Sequence, residues 1–456
     1  MSTISHSSLT AQIGSERIKS HDHHGWGFVS LLLLVGSLFI RPADLLPQLH
    51  DVPVYQFLMV TAIFLSYRAI GGQLNQHLLA CRPVTTCILL LIIVVALSHI
   101  ANGFFWGARD SGWMIVKVFM LYLLIAGVVN TTERLESLAR WLVVSIAFMS
   151  SLALADHFDW IELSAFTPID DSFLNAESET RVSRIRGSGI FEDPNDLGLV
   201  AVIGIVFTAY FLFKPNQGWP RTLWLVPGGI LCWTLALTFS RGAFFALAAT
   251  IPAWFYYYRG WLSALLGSVA LVPIIAVPFV GRMTDFNAVF DGTGQTRIQI
   301  WSESLTVFRN APFFGIGEGM FVEKIGFVSH NSFLQGYTEL GFVGGTLFIS
   351  IFLTAIVGLL PNRARSLDDK PQEFRLRGAI FVVLIGYTVG IFSLSRQFVA
   401  PTYLVLGLAV ASQLMRPDVL PKSWHVGNEL AIRSCLVGIA FLGLMYILIR
   451  LLIGIT

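Results

Sequence analysis

The chain has 456 residues, of which 55% are hydrophobic and 13% are charged, and its formal net charge is +2. Soluble domains carry about 25% charged residues, so this composition excludes a soluble globular protein. Disorder is excluded because the chain contains 36 Phe and 12 Trp, and the nearly neutral charge excludes a broad nucleic-acid surface. With a mean hydropathy of +0.69, the chain is predicted to be a polytopic membrane protein.

Apolar runs long enough to cross a bilayer, which takes about 20 residues, recur along the whole chain. A polar head, 1–25, precedes them and lacks a signal-peptide cleavage site, so 26–454 is predicted to be a single transmembrane domain. The thirteen predicted spans are 26–40, 52–67, 84–104, 113–129, 139–155, 190–213, 222–239, 242–258, 261–281, 333–360, 378–394, 398–414 and 433–454.

The distribution of Lys and Arg predicts which loops face the cytoplasm. With a cytoplasmic N-terminus, the basic segment 361–377 lies inside and two long loops, 156–189 and 282–331, lie outside. The spans contain almost no carboxylates and no internal repeat, which disfavours an ion-coupled carrier. The four cysteines fit no zinc or disulfide spacing. Any chemistry is therefore expected at the outer face.

The end of the first outer loop combines arginines with a helix start. Asp193 before Pro194 is typical of an N-cap followed by proline at the first helical position. A helix N-terminus favours an anion, and Arg181, Arg184 and Arg186 precede it. These residues can bind a phosphate, or the arginines can pair with the acidic residues upstream while Asp193 only caps the helix.

A single arginine, in Ser240-Arg241-Gly242, separates the next two outer span ends. It is either an interfacial anchor or a phosphate-binding residue that points into the same outer cavity.

The second outer loop contains a predicted helix and a glycine-rich turn. Apolar residues at 298, 301, 305 and 308 lie on one helical face, with Arg297 at the helix start. Gly315-Ile316-Gly317-Glu318-Gly319 has glycines like those of a nucleotide-binding loop, but no strand precedes it, so a flexible turn is predicted.

His330 stands at the outer start of the following span, where Asn331 or Ser332 can cap the helix. Histidine is the side chain best suited to exchange a proton near neutral pH. A lone outer histidine is also frequently incidental, and both interpretations stay open on the spacing alone.

Together these residues resemble the O-antigen ligases and related Wzy-type polysaccharide polymerases of bacteria. The family signature is His-Asn, nine residues, Gly, two residues and Gly, and His330-Asn331 followed by Gly341 and Gly344 matches it in full. Similar family features are Arg297 with Trp301, Pro312 with Gly315-Ile316-Gly317, Phe191 with Pro194-Asn195, and Ser240-Arg241-Gly242. The resemblance covers about 181–360; the thirteenth span departs from the usual twelve, and the N-terminal head is longer than the family requires.

The resemblance implies an all-α polytopic transmembrane bundle of about 12–13 spans, similar to membrane-embedded type C glycosyltransferases, with a large outer loop between spans 9 and 10. Its expected reaction moves a glycan from undecaprenyl diphosphate to an acceptor sugar hydroxyl, at the periplasmic face of the bacterial inner membrane. A ligase uses lipid A core as acceptor, whereas a Wzy-type polymerase uses another lipid-linked repeat of O-antigen or exopolysaccharide; a lipid-linked glycan transporter and an envelope scaffold are more distant alternatives.

The resemblance and the residue chemistry together nominate the site. His330 and Arg297 are the expected catalytic residues, and the expected substrate-binding residues are Arg184, Arg186, Arg241, Asn331 and Glu339. No cofactor or metal is expected, because guanidinium groups can stabilise the charge of the leaving diphosphate. The acidic trio Glu192, Asp193 and Asp196 keeps a metal-assisted alternative open.

Overall fold

The structure, a computed structural model, describes residues 25–45, 47–49, 52–175, 178–215, 220–269, 293–361, 371–416 and 420–455. Outside the described residues lie nearly all of the N-terminal head, the second part of the ninth predicted span, the start of the second outer loop and much of the basic segment 361–377.

The described chain is a helical bundle. Its helices are α1 (Gly25–Phe39), α2 (Pro42–Leu45), α3 (Val54–Gln73), α4 (Gln76–Leu79), α5 (Pro83–Ala101), α6 (Phe105–Val128), α7 (Thr132–His157), α8 (Pro194–Phe213), α9 (Leu225–Thr238), α10 (Arg241–Arg259), α11 (261–269), α12 (Thr293–Asn310), α13 (Phe321–Ile325), α14 (Ser332–Leu359), α15 (Pro371–Ile391), α16 (Ala400–Leu414) and α17 (Asn428–Ile455). Among the described residues, eight helices are long and apolar enough to cross a membrane, and α1 and α16 are shorter apolar helices. The chain is therefore a multi-pass helical membrane protein, as predicted.

Each predicted span falls on a described helix, the ninth only through α11. The largest errors are at helix starts: α6 begins eight residues before the predicted span 113–129, and α7 and α15 each begin seven residues before 139–155 and 378–394, respectively. These first turns carry Arg109, Asp110, Glu133 and Arg134. Hydropathy locates only the apolar part of a helix, whereas backbone hydrogen bonding continues through the polar residues at its ends.

The first outer loop contains a β-hairpin that was not predicted. Strands β1 (Ile169–Asn175) and β2 (Ser178–Arg184) pair antiparallel, from Ile169 opposite Arg184 to Asn175 opposite Ser178. After the hairpin, the amide of Ile185 donates to the carbonyl of Leu237 in α9 at 3.3 Å. The loop is thus attached to the bundle where α8 begins and α9 ends.

Helix α14 is sharply bent at Gly341, the first glycine of the signature. Gly341 has φ +66° and ψ −166°, and a Cβ there would lie 2.3 Å from the carbonyl carbon of Phe313. The amide of Phe342 donates to the carbonyl of Pro312 at 2.7 Å. The bend therefore forms because the backbone of 312–315 packs directly against the helix, which no residue with a side chain allows.

A buried ion pair joins three helices at the opposite end of the bundle from the start of α8. The Glu136 carboxylate of α7 accepts from Lys214 Nζ at 2.6 Å on both oxygens, from the Tyr210 hydroxyl at 2.5 Å and from Gln372 Nε2 at 3.0 Å. These contacts connect α7 to the end of α8 and to the start of α15.

Candidate functional site

His330 and the start of α14 contact the turn 392–399. The His330 amide donates to Ser395 Oγ at 3.0 Å. Ser332 Oγ donates to the carbonyl of Leu394 at 2.5 Å and accepts from the Arg396 amide at 2.7 Å. The start of α14 is therefore fastened to the turn 392–399 between α15 and α16.

His330 has a left-handed backbone, with φ +50°, just before α14 begins. For a residue with a side chain, such strained backbone costs about 1–3 kcal/mol and persists only where its surroundings impose it. Two sets of contacts impose it here. Asn331 is the N-cap, as one of the two predicted alternatives had it, and its Oδ1 accepts from the amides of Phe333 and Leu334, each at 3.1 Å. Ser395 holds the amide on the other side.

Arg297 lies within the first turns of α12, facing the same cavity. The predicted apolar stripe of this helix is confirmed: Ile298 and Leu305 are buried against α14 and α17, and Trp301 Nε1 donates to the carbonyl of Ser329 at 3.0 Å. Burial lowers the pKa of Arg297, and so do the charges of Arg241 and Arg184, while Asp193 raises it. The charges of Arg241, Arg184 and Asp193 therefore lie close enough to Arg297 to act on it.

Arg241 is the first residue of α10. The preceding helix ends in the left-handed Phe239, with φ +47°, and Ser240 then caps α10 by accepting from the Ala243 amide at 3.2 Å. A Cβ on Gly242 would lie 2.0 Å from Ser393 Oγ. In the Ser-Arg-Gly turn, Ser240 thus caps α10, Arg241 begins the helix, and Gly242 leaves room for the 392–399 turn.

The two arginines at the end of the first outer loop have different surroundings. Arg184 donates through Nε to the Thr238 carbonyl at 2.9 Å and through Nη2 to Asn195 Oδ1 at 3.3 Å, which holds it beside the starts of α8 and α10. Arg186 donates through Nε to the Thr167 carbonyl at 2.6 Å. The charge that acts on Arg297 is that of Arg184, although both residues were predicted to bind substrate.

Arg396 is a site residue that was not predicted. Its Nε donates to Asp196 Oδ1 at 2.5 Å, its Nη2 contacts Asp196 Oδ2, and Nη2 lies 3.6 Å from Asp193 Oδ2. A polar break, Ser393-Leu394-Ser395-Arg396-Gln397, stands between two apolar spans in the sequence and resembles the turn at Arg241. That break was the available signal.

Two of the three acidic residues at the start of α8 therefore already have partners. Asp193 is the predicted N-cap, and its Oδ1 accepts from the Asn195 amide at 2.8 Å. Asp196 receives both donors of the Arg396 fork, and Glu192 is exposed. Within the described ranges, no three His, Cys, Asp or Glu side chains are grouped so that they could hold a metal ion.

Glu339, which was nominated as a substrate-binding residue, is hydrogen-bonded within the protein through both carboxylate oxygens. It is fully buried, and one carboxylate oxygen accepts from the amides of Gly319 and Phe321 and from Gln335 Nε2, while the other accepts from Gln397 Nε2 at 2.7 Å. With both oxygens occupied, Glu339 anchors the glycine-rich turn 315–319. That turn, predicted to be flexible, is docked onto the bend of α14.

Asn331, another predicted substrate-binding residue, is also fully buried. Its Oδ1 is used by the helix cap, whereas its Nδ2 has no hydrogen-bond partner among the described residues.

The protonation of His330 follows from its neighbours. Burial lowers its pKa below the ordinary 6.5, the charges of Arg297 and Arg396 lower it further, and Asp193 raises it. The imidazole is therefore neutral near pH 7 in the absence of an anion, which is the form that accepts a proton.

Residues 227–349 match the family model described as O-antigen ligase. This part of the chain is similar to the O-antigen ligases. The match includes Arg241, Arg297 and His330, and the family resemblance is thereby confirmed. A comparison with curated proteins finds no match.

The match and the apolar helices together support a multi-pass membrane enzyme of the ligase or polymerase type. Four further site residues lie outside the matched range: Arg184 and Asp193 precede α8, Asp196 is in its first turn, and Arg396 is in the 392–399 turn. The matched range thus contains the histidine and two arginines of the site, and the flanking segments contribute the other charged residues.

Proposed function

We propose that the protein is a glycosyltransferase that moves a glycan from undecaprenyl diphosphate to an acceptor sugar hydroxyl, at the periplasmic face of the bacterial inner membrane. The observation that carries the proposal is the convergence of Arg184, Arg241 and Arg297 beside a neutral histidine. We favour the ligase reaction, with lipid A core as acceptor, because the His-Asn signature is complete; a Wzy-type polymerase is the alternative.

The arginines and the apolar cavity beside them suit a donor that is anionic at one end and apolar at the other. The arginines offer planar, paired donors to a diphosphate. Next to them lies an apolar cavity of about 430 Å³, which is lined by Phe245, Phe333, Thr388, Val389, Phe392 and Ser393. Ser393 touches the turn of Arg241, so a lipid chain in this cavity places its diphosphate beside the guanidinium groups.

His330 acts as the base in this reaction. As the acceptor hydroxyl oxygen bonds to the anomeric carbon, the bond from that carbon to the diphosphate oxygen breaks and its electron pair leaves with the diphosphate. The hydroxyl proton passes to a ring nitrogen of His330. The arginines are positioned before the reaction to stabilise the growing charge on the leaving group, which is an efficient form of catalysis.

Glycan transfer from a purified undecaprenyl-linked donor, measured in detergent, tests the proposal. General-base assistance contributes about 10²–10⁴-fold, so we expect His330→Ala to fold and bind donor yet transfer glycan at least about a hundredfold more slowly. His157→Ala, at the same end of the bundle, is the matched control. A normal rate for His330→Ala assigns the base elsewhere.

The same assay tests metal independence and the arginines. We expect EDTA to leave the wild-type rate unchanged; loss of activity with EDTA favours the metal-assisted alternative at the start of α8. Arg297→Ala is expected to lose activity by a factor on the order of 10². Ligase and polymerase are separated in a deletion strain, because loss of a ligase leaves long chains on the lipid carrier and loss of a polymerase leaves single repeats.

A further inference from the structure

Two arginines from different helices share one tyrosine at the edge of the bundle. Arg309 lies at the end of α12 and Arg450 near the end of α17, and each guanidinium carbon lies 5.5 Å from the centroid of the Tyr446 ring. Arg450 Nε also donates to the Tyr446 hydroxyl at 3.3 Å. The two positive charges are therefore no more than about 11 Å apart.

This pair of charges has no acidic counterpart in the part of the chain that the structure describes, where neither guanidinium forms an ion pair with a carboxylate. Two like charges at this separation repel each other, and the repulsion is stronger near an apolar phase than in water. An anion bound by both guanidinium groups removes the repulsion and gains charge-assisted hydrogen bonds.

The surroundings identify a lipid as the carrier of that anion. Leu444, Ile447 and Leu451 of α17 are between 56% and 66% exposed, so the outward face of this helix is a surface for acyl chains. The inward face packs Met445 and Ile449 against α12. Tyrosine and arginine are the residues expected at the level of lipid headgroups.

The position relative to the catalytic cavity follows from α12. Arg297 and Arg309 are twelve residues apart in this helix, a distance of about 18 Å at 1.5 Å per residue. The group of Arg309, Tyr446 and Arg450 is therefore separated from Arg297 along α12 and is distinct from the cavity of His330.

We propose that Arg309, Tyr446 and Arg450 form a second anion site, which binds the phosphate of a membrane lipid headgroup. Each guanidinium donates to phosphate oxygens, the phenol hydroxyl donates to a third oxygen, and the acyl chains lie along the exposed face of α17. The site is independent of the glycosyl-transfer reaction proposed above.

Lipid binding measured by native mass spectrometry tests the proposal. The full-length protein in a neutral non-ionic detergent is titrated with phosphatidylglycerol, and separately with phosphatidylcholine, whose choline group already compensates the phosphate. We expect the protein to bind one phosphatidylglycerol molecule tightly and phosphatidylcholine more weakly. The double variant Arg309→Gln/Arg450→Gln should weaken phosphatidylglycerol binding at least about tenfold, because the charge-assisted bonds are lost.

Matched variants separate this site from general lipid adhesion and from misfolding. Arg68 lies over Tyr67 as a single arginine, 5.7 Å from the ring centroid, so Arg68→Gln should bind phosphatidylglycerol as the wild type does. Arg309→Lys/Arg450→Lys, which keeps both charges but loses the planar forks, should lie between the wild type and the Gln variant. Equal melting temperatures in detergent confirm that the variants are folded.

Three outcomes overturn the proposal. Unchanged phosphatidylglycerol affinity in the Gln double variant removes the site. Equal affinity of the wild type for both lipids shows that only acyl chains are bound. Displacement of the bound lipid by an equimolar amount of inorganic phosphate shows that the anion need not come from a lipid.

Discussion

The charge on His330 is set by residues from three different elements. Arg297 of α12 and Arg396 of the 392–399 turn disfavour the imidazolium, and Asp193 before α8 favours it. In the reaction proposed above the neutral imidazole is the active form, so the rate is expected to rise with pH as His330 loses its proton. Since the pKa of His330 is lowered, this rise in rate should be complete at a lower pH than for an ordinary histidine.

The acid limb of the kcat/KM profile should therefore have its midpoint below pH 6.5, since kcat/KM reports the free enzyme. The double variant Arg396→Gln/Asp196→Asn removes a positive charge near His330 without leaving a buried carboxylate unpaired, so its midpoint should move to higher pH. Asp193→Asn keeps a helix cap but removes a negative charge, so its midpoint should move to lower pH. Shifts of equal sign in the two variants contradict this account.

The arginines at the end of the first outer loop should differ in importance. Arg184 is held between Thr238 and Asn195 within reach of Arg297, whereas Arg186 bonds to the carbonyl of Thr167. Replacing Arg by Lys retains charge but loses the planar fork. We expect Arg184→Lys to lower donor transfer at least about tenfold and Arg186→Lys to stay within about twofold, measured in detergent at saturating acceptor. The reverse order would restore Arg186 as the diphosphate ligand.

At the scale of elements, the glycine-rich turn 315–319 packs against α14 where this helix bends at Gly341. Gly315, with φ +67°, packs against the backbone of Glu339 as closely as Gly341 packs against Phe313. Glu339 then bonds to the same turn and to Gln397, next to Arg396. The signature glycine is thus explained by the contact of two backbones, about three helical turns after His330.

Gly341→Ala should destabilise the protein strongly, because a side chain meets the Phe313 backbone and φ is positive. The strain alone is about 1–3 kcal/mol. Thermal unfolding in detergent should show a lower midpoint than for the wild type. Gly112→Ala is the control, since no atom lies within 4 Å of a Cβ at that helical position. An unchanged midpoint for Gly341→Ala contradicts the observed bend.

Some of these elements could be predicted because their cause is local. The Asp193 cap and the apolar stripe of α12 depend on residues within one or two turns, and both were predicted. The Arg396–Asp196 pair joins residues 200 positions apart, so no local pattern reveals it. The bend at Gly341 likewise depends on a remote backbone segment, and the β1–β2 hairpin lies in a loop of mixed charge without strand-like apolar alternation. The burial of Glu339 also depends on remote residues, among them Gly319 and Gln397, and no local pattern indicates it.

At the scale of the whole molecule, the proposed orientation puts the site outside and the Glu136 ion pair inside. Single cysteines tested in a variant without native cysteines should label accordingly with an impermeant reagent. Asn175→Cys and Met320→Cys should react in intact spheroplasts, whereas Asp368→Cys should react only after permeabilisation. Labelling at 368 together with protection at 320 reverses the orientation and moves the proposed reaction to the cytoplasmic face.

Helices α8 and α15 are joined to each other at both of their ends. At one end Arg396, just after α15, forms a hydrogen-bonded ion pair with Asp196 in the first turn of α8. At the other end Gln372 in the first turn of α15 and Lys214 after α8 share the Glu136 carboxylate. Sliding one of these helices along the other would break both attachments, so this half of the bundle behaves as a fixed wall. Under the proposed function, the lipid chain of the donor is then expected to enter from the bilayer beside this wall, at the cavity between α10, α14 and α15.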